Sequence, residues 1–211
     1  MMTEAEAQDW LVRALGVSRE TLEKLDLYRQ MVIAESEHQN LIARSTFDVF
    51  WLRHIVDSAQ LVPLAAEAGE GLWLDLGSGA GMPAIIVALL CDRDIHMVEE
   101  RRGRIGFLNR VIEALGLTNA QVHGCKVETL HCPPAAIISA RAFAPLPKLL
   151  KLAHSFSTQK TLWLLPKGRS ARDELENVKQ DWQGAFHVKQ SITDAEAAII
   201  VGSGVRKVGK K

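Results

Sequence analysis

Leu72-Trp-Leu-Asp-Leu-Gly-Ser-Gly-Ala-Gly-Met82 decides how the rest of this chain is read. Its first half is an apolar run interrupted only by Asp75, the pattern of a buried strand. Its second half is a turn with glycines at 77, 79 and 81, which leads into the apolar stretch Pro83–Leu90. A proline in the first turn of a helix costs little, because its missing N–H has no partner there. Strand, glycine turn and helix together form the first crossover of an open α/β sheet, where ligands bind at the carboxyl ends of strands. Outward from this unit the pattern repeats. Strands are predicted at Leu72–Leu76, Ile95–Val98, Val122–Cys125, Ala136–Ser139 and Thr161–Leu165. Helices are predicted at Pro83–Leu90, at Arg102–Leu115 with Gly116 just past its end, at Lys148–Phe156 and at about 170–181. The last apolar runs, Phe186–Ile192 and Ala197–Val201, are spaced as a hairpin. The alternation predicts an α/β fold: a mostly parallel, seven-stranded, doubly wound sheet with helices on both faces.

The first 65 residues follow a helical period instead, with Leu22, Leu25, Tyr28 and Val32 on one face and a second series from Phe47 to Leu61/Val62. Gly16 is placed to stop one helix and Ser18 to cap the next, while Glu37–Ile42 reads as a loop. The chain is therefore expected to divide into an N-terminal helical extension, 1–65, and one compact unit, 66–211.

Composition narrows the class. The 211 residues are 47% hydrophobic and 24% charged, ordinary values for a globular protein. The apolar run Met82–Cys91 is ten residues long, and a membrane span needs about 20. Met-Met-Thr-Glu-Ala-Glu is acidic where a signal peptide would be basic, and Cys91, Cys125 and Cys132 are too few for a disulfide framework. A soluble, cytoplasmic protein is expected. The balance of 25 basic and 25 acidic residues hides an asymmetry: residues 1–70 carry 12 acids against 6 bases, and the run Arg206–Lys211 alone adds four positive charges. A basic C-terminal two-thirds leaves room for a side that faces phosphate.

The chemistry concentrates at strand ends. A dinucleotide fingerprint needs G-x-G-x-x-G, and Met82 stands at its third small position. The spacing here, G-x-G-x-G after the acidic strand end Asp75, is the pattern of S-adenosylmethionine sites, with Gly77, Gly79, Gly81 and Met82 as the cradle. Glu99 closes the second strand 22 residues after Gly77, close to the ~20 expected of an acid that accepts from a ribose; Glu100 competes for that role. Arg101, Arg102 and Arg104 follow as a solvated helix start or an anion contact. Lys126-Val-Glu128 falls after the third strand, where an adenine would lie. Ser139-Ala-Arg-Ala-Phe143 ends the fourth strand, and Arg141 is suited there to a carboxylate, a phosphate or a base edge.

Other constellations are weaker. His123, Cys125, His131 and Cys132 lack the C-x-x-C spacing of structural zinc, so no metal is expected. Cys132-Pro-Pro134 precedes the fourth strand and reads as a loop. His54 and Asp57, one helical turn apart, read as an acid–base pair, a packed histidine or a docking contact. The tryptophans at 10, 51, 73, 163 and 182 are dispersed, as core residues are.

Asn40-Leu41, Arg53-His-Ile-Val-Asp-Ser58, Leu74-Asp-Leu-Gly-Ser-Gly-Ala-Gly-Met-Pro83, Phe107-Leu108, Val127-Glu128, Arg141-Ala-Phe143 and Lys167-Gly168 occur in the order and spacing of the RsmG (GidB) family, which this chain resembles. The resemblance covers about residues 38 to 172. It implies a Rossmann-like class I methyltransferase fold and methyl transfer from S-adenosylmethionine to N7 of a guanine in 16S ribosomal RNA of the small subunit. It also implies cofactor contacts at Gly77, Met82, Val127, Glu128 and Arg141. Arg141, at the end of the fourth strand, and His54, within the Arg53–Ser58 block, are the candidate catalytic residues. The chain departs from the family pattern at Ala84, Gly103, Lys126 and Ala135-Ala136; the family usually has a lysine at the Gly103 position. An NAD(P)-dependent oxidoreductase and a non-catalytic RNA-binding protein on the same fold are the alternatives.

Overall fold

The computed structural model describes residues 2–209; Lys210 and Lys211 of the basic C-terminal run lie outside the described residues. Seven strands form one sheet in the order β3-β2-β1-β4-β5-β7-β6. They are β1 Trp73–Leu76, β2 Ile95–Val98, β3 Ala120–His123, β4 Ile137–Ser139, β5 Leu162–Lys167, β6 Trp182–Gln190 and β7 Ala198–Lys207. β1 to β5 are parallel, and β7 is antiparallel to both β5 and β6. The order reverses at β1, which has β2 on one side and β4 on the other. A crevice therefore opens at the carboxyl ends of β1 and β4. The glycine turn leaves β1 there, and Ala140–Phe143 leaves β4.

Helices α1 Glu4–Leu15 and α2 Arg19–Glu35 come first. Thr3 and Glu6 form a capping box at the start of α1, and Gly16 ends it at φ 65°. The Ser18 hydroxyl accepts from the Thr21 amide at 3.1 Å to start α2. The series from Phe47 onward is one winding of changing pitch: 3₁₀ over Arg44–Val49, π over Trp51–Val56, then the short α3 Asp57–Ala59 and α4 Leu61–Leu64. Its opening amides at Trp51 and Leu52 donate to the Glu4 carboxylate at 2.9 and 2.8 Å, so α1 caps this segment from a distance. α5 Ala84–Leu90, α6 Arg102–Leu115, α7 Leu146–Ala153 and α8 Ala171–Glu176 complete the set. Leu11, Leu25, Tyr28, Val32 and Ile55 share one apolar cluster with Ile85 and Ile86 of α5 and Phe107 and Leu108 of α6. Leu149 and Leu150 of α7 and Leu175 of α8 pack on the other face with Leu74, Leu76 and Trp163. Four of the tryptophans are buried and Trp10 is partly so.

Several boundaries differ from the sequence expectation. β3 begins at Ala120 and ends at His123, so Cys125 lies in the following turn. The cause is Asn119, whose Nδ2 donates to the carbonyls of Ala88, Cys91 and Arg93 and pins the strand's entry. α7 starts two residues before Lys148, and α8 stops at Glu176 because buried Val178 and Trp182 pull the chain into β6. The hairpin is longer than expected, pairing Trp182 with Lys207 across an irregularity at Gln183/Ala185. At Gly103 the Gln39 side chain donates to the glycine carbonyl, and a Cβ there would lie 3.0 Å from the movable end of that side chain.

Candidate active site

The glycine turn is held from beneath. The Tyr28 hydroxyl, fully buried, donates to the Ala80 carbonyl at 2.8 Å, which ties α2 to the turn. Gly77 at φ 68° and Gly81 at φ 97° adopt backbone angles that a side chain strains. Asp75 does not reach the crevice. Its carboxylate is fully buried; Oδ1 accepts from the Ser139 hydroxyl at 2.6 Å, and Oδ2 has no hydrogen-bond partner. Trp73 in turn donates to Ser139 at 2.9 Å. Burial pushes the Asp75 pKa up to about 6, against the Ser139 bond and the positive charge of Arg141.

That shift has a sign. The native protein holds the Asp75 proton up to about pH 6, whereas an unfolded chain releases it near 4. The associated stability is complete below the unfolded value and is lost as pH rises through about 6, on the order of 3 kcal/mol in all. Asp75→Asn removes this dependence. The stability of ligand-free variant minus wild type is expected to rise by that order between pH 4 and 7.5 in denaturant titrations. Parallel pH profiles would contradict the burial argument.

Two cavities flank the turn. The smaller, about 340 Å³, is lined by Gly77, Glu99, Arg104, Lys126, Val127, Glu128 and Lys148 among others. Glu99, 5% exposed, is turned inward: Oε2 accepts from the Gly79 amide at 3.0 Å, and Oε1 from the amides of Glu100 and Arg101 at 2.9 Å each. Arg104 stands 3.7 Å from Oε2 and donates to the Asn40 carbonyl. Glu100 and Arg101 are exposed at the rim of the same cavity, and Arg102 faces solvent.

The larger cavity, about 860 Å³, is lined by Arg53, His54, Asp57, Arg141, Lys167 and residues of the β6–β7 turn. Arg141 donates to Asp57 Oδ2 at 3.2 Å and to the Met82 sulfur at 2.9 Å, and its Nη2 lies 3.3 Å from His54 Nδ1. A guanidinium has only donors, so His54 Nδ1 must accept and Nε2 carries the proton. That N–H points at the Thr46 hydroxyl, 2.8 Å away, which itself donates to the Ala43 carbonyl. Burial, then the charges of Arg141 and Arg53, hold the His54 pKa at about 3. The imidazole is a neutral acceptor that orients Arg141.

Among the described residues, only Ala142, Phe143 and Ala144 line both cavities. Ala142 sits at φ 52°, and the Phe143 ring lies directly over Gly77, where a Cβ would come within 2.4 Å of Cδ2. This segment is the partition between the two spaces.

The residues singled out in the sequence thus fall into three places. Gly77, Glu99, Val127 and Glu128 line the smaller cavity, Arg141 and His54 the larger, and Asp75, Gly79, Gly81 and Met82 build the turn without lining either. Phe143 stood in a quoted motif but had no role assigned. Thr193 and Ser139 carried no local signal, because the carboxylates they bond, Asp57 and Asp75, are remote in sequence. His123 is drawn to His96, with ring nitrogens 3.2 Å apart. Among the described residues no three His, Cys, Asp or Glu side chains converge as metal ligands, and no helix is long and apolar enough to cross a membrane.

Known proteins share this architecture. A putative O-methyltransferase from Klebsiella pneumoniae superposes with a TM-score of 0.62 at 16% identity, over 93% of this chain and 95% of that one. A mutant of MtNAS in complex with S-adenosylmethionine gives 0.59 at 15% identity, over 96% and 84%. At such identities the likeness concerns the fold alone. Sequence relatives are nearer. Ribosomal RNA small subunit methyltransferase G of Rhizorhabdus wittichii is 52% identical over 99% of this chain and 96% of its own, and that of Zymomonas mobilis 49% identical over both full lengths. The profile of the GidB family, described as rRNA small subunit methyltransferase G, matches residues 21–200. With that match spanning the glycine turn, the Arg141 cluster and both cavities, the chain belongs to the GidB family of small-subunit ribosomal RNA methyltransferases.

Proposed function

We infer that this chain, an S-adenosylmethionine-dependent ribosomal RNA methyltransferase by family and fold, methylates N7 of a guanine in 16S ribosomal RNA, presented in the small subunit or a precursor of it in the cytoplasm. The observation that carries this reading is the pair of cavities meeting at Ala142–Ala144, one suited to a cofactor and one open to a large substrate.

The residues present fit the cofactor. Glu99 lines the smaller cavity with a carboxylate that can accept from ribose hydroxyls, Val127 and Glu128 border the space for an adenine, and Gly77 lines it beneath the Phe143 ring. The unpartnered Oδ2 of Asp75 lies buried beneath the turn and lines neither cavity, so it acts on a cationic ligand only through its charge. When bound, the cofactor supplies an electrophilic methyl group on sulfur.

N7 of guanine carries a lone pair and no proton, so its alkylation requires no general base. A histidine held neutral as an acceptor and an arginine fixed by Asp57 and His54 suit that chemistry as orienting groups. Alignment and exclusion of water can lower a barrier by up to roughly 7–11 kcal/mol. The target base must be unpaired or swung out of its stack to enter the larger cavity. Incubation with labelled cofactor and small subunits lacking the modification, followed by digestion to nucleosides, is expected to place the label in 7-methylguanosine. Label on an exocyclic amine or a ribose would overturn the N7 assignment. Label confined to other RNA would overturn the substrate.

A further inference from the structure

Four cationic side chains line the larger cavity, and each meets a carboxylate. Two pairs are inward. Arg141 and Lys167 are 22% and 10% exposed, and their acids, Asp57 and Glu174, hold other groups as well. Asp57 accepts from Thr193 and Gln60, and Glu174 from the Leu146 amide and Ser170. These acids belong to the frame.

The other two pairs are outward. Arg53 meets Asp194 at 2.6 Å and Arg169 meets Glu196 at 3.2 Å, with the arginines 43% and 82% exposed. Both acids come from the single turn that joins β6 to β7, two residues apart, while the arginines come from segments far apart in the chain. The backbone of that turn is anchored independently of these pairs. The Ile192 amide donates to Gln60 Oε1 at 3.1 Å, Thr193 Oγ1 donates to Asp57 at 2.9 Å, and Gln190 Nε2 donates to the carbonyls of Asp194, Ala195 and Ala197. Releasing Arg169 therefore needs only a rotamer change of Glu196, and releasing Arg53 a rotamer change of Asp194 that also gives up its 2.9 Å bond from the Glu196 amide.

Exposed ion pairs contribute little net stability, whereas a guanidinium binds phosphate through two parallel charge-assisted hydrogen bonds. We propose that Arg53 and Arg169 are phosphate contacts for the RNA strand entering the larger cavity, and that Asp194 and Glu196 occupy them as carboxylate stand-ins until RNA displaces the acids. The proposal rests on the ribosomal RNA reading above. The physical gain is selectivity. In a chain with 25 charges of each sign, masked arginines hold random polyanions weakly, and an RNA that presents phosphates to both at once replaces both acids.

The test measures binding of polyuridylate and of unmodified 16S ribosomal RNA against KCl concentration, alongside S-adenosylmethionine affinity. Asp194→Asn with Glu196→Gln should bind polyuridylate roughly tenfold more tightly at about 0.1 M salt, with a log–log salt slope steeper by about one. Arg53→Gln with Arg169→Gln should bind 16S RNA at least roughly tenfold more weakly, with a shallower slope and unchanged cofactor affinity. RNA affinity and slope unchanged in the arginine variant, in a protein that still binds cofactor and melts as wild type, would overturn the inference. A wild-type protein that neither binds nor methylates 16S RNA would instead overturn the ribosomal RNA reading itself.

Discussion

Gly77→Val is expected to lower S-adenosylmethionine affinity by two or more orders of magnitude while the protein stays folded. Two penalties act together. The residue sits at φ 68°, and a left-handed backbone costs a side-chain-bearing residue roughly 1–2 kcal/mol, more if β-branched. Its Cβ would also fall 2.4 Å from Phe143 Cδ2, and relieving such an overlap costs about 1–3 kcal/mol. The turn or the Phe143 partition must move, and both border the smaller cavity. The buried cluster beneath is untouched, so the protein should stay folded, with the two penalties lowering its thermal midpoint by roughly 5–20 °C. Calorimetric titration with cofactor, with circular dichroism to establish the fold, reads the result. Affinity within about threefold of wild type would mean that the cofactor does not approach Gly77. Gly77→Ala combined with Phe143→Ala separates the penalties, since it removes the ring and keeps the backbone angle; partial recovery relative to Gly77→Ala alone measures the steric share.

Arg141→Ala is expected to reduce methyl transfer by roughly ten- to hundred-fold, the equivalent of one charge-assisted hydrogen bond. The guanidinium lines the larger cavity and not the smaller, so S-adenosylmethionine affinity should hold. An N7 awaiting methylation cannot keep a hydrogen bond, which leaves O6 of the guanine as the acceptor a remaining N–H can reach. The loss should therefore appear in turnover and not in the binding of distant RNA. Arg141→Lys keeps a charge without the fork and should recover only part of the activity. A tenfold or greater loss of cofactor affinity would assign the arginine to the cofactor's carboxylate instead. Full activity would remove it from the reaction.

His54 shows why composition alone misleads about such a site. Beside Asp57 on one helical turn it resembles an acid–base pair, yet burial and two arginines hold its pKa at about 3, and Asp57 is turned toward Arg141, Thr193 and Gln60. Spacing along a helix reports which side chains are neighbours. It does not report what else crowds them.

What the sequence determined by itself was local in origin. Gly16 and Gly116 end helices and Ser18 caps one, because orphan backbone groups within a turn choose their partners nearby. The parallel core of the sheet and the glycine turn after β1 follow from short apolar runs alternating with helical period, whereas the choice of Glu99 over Glu100 as the inward acid did not. Tertiary structure decided what depends on distant desolvation and pairing. Asn119 moved β3 by two residues through carbonyls 26 to 31 positions away. Ser139, 64 residues on, took one oxygen of Asp75 and burial left the other bare. Arg141 found Asp57 and His54 across 84 and 87 residues, and Phe143 came to rest over Gly77. No period in a sequence encodes which of its charges will share a low-dielectric space; that is decided when the crevice between β1 and β4 closes around them.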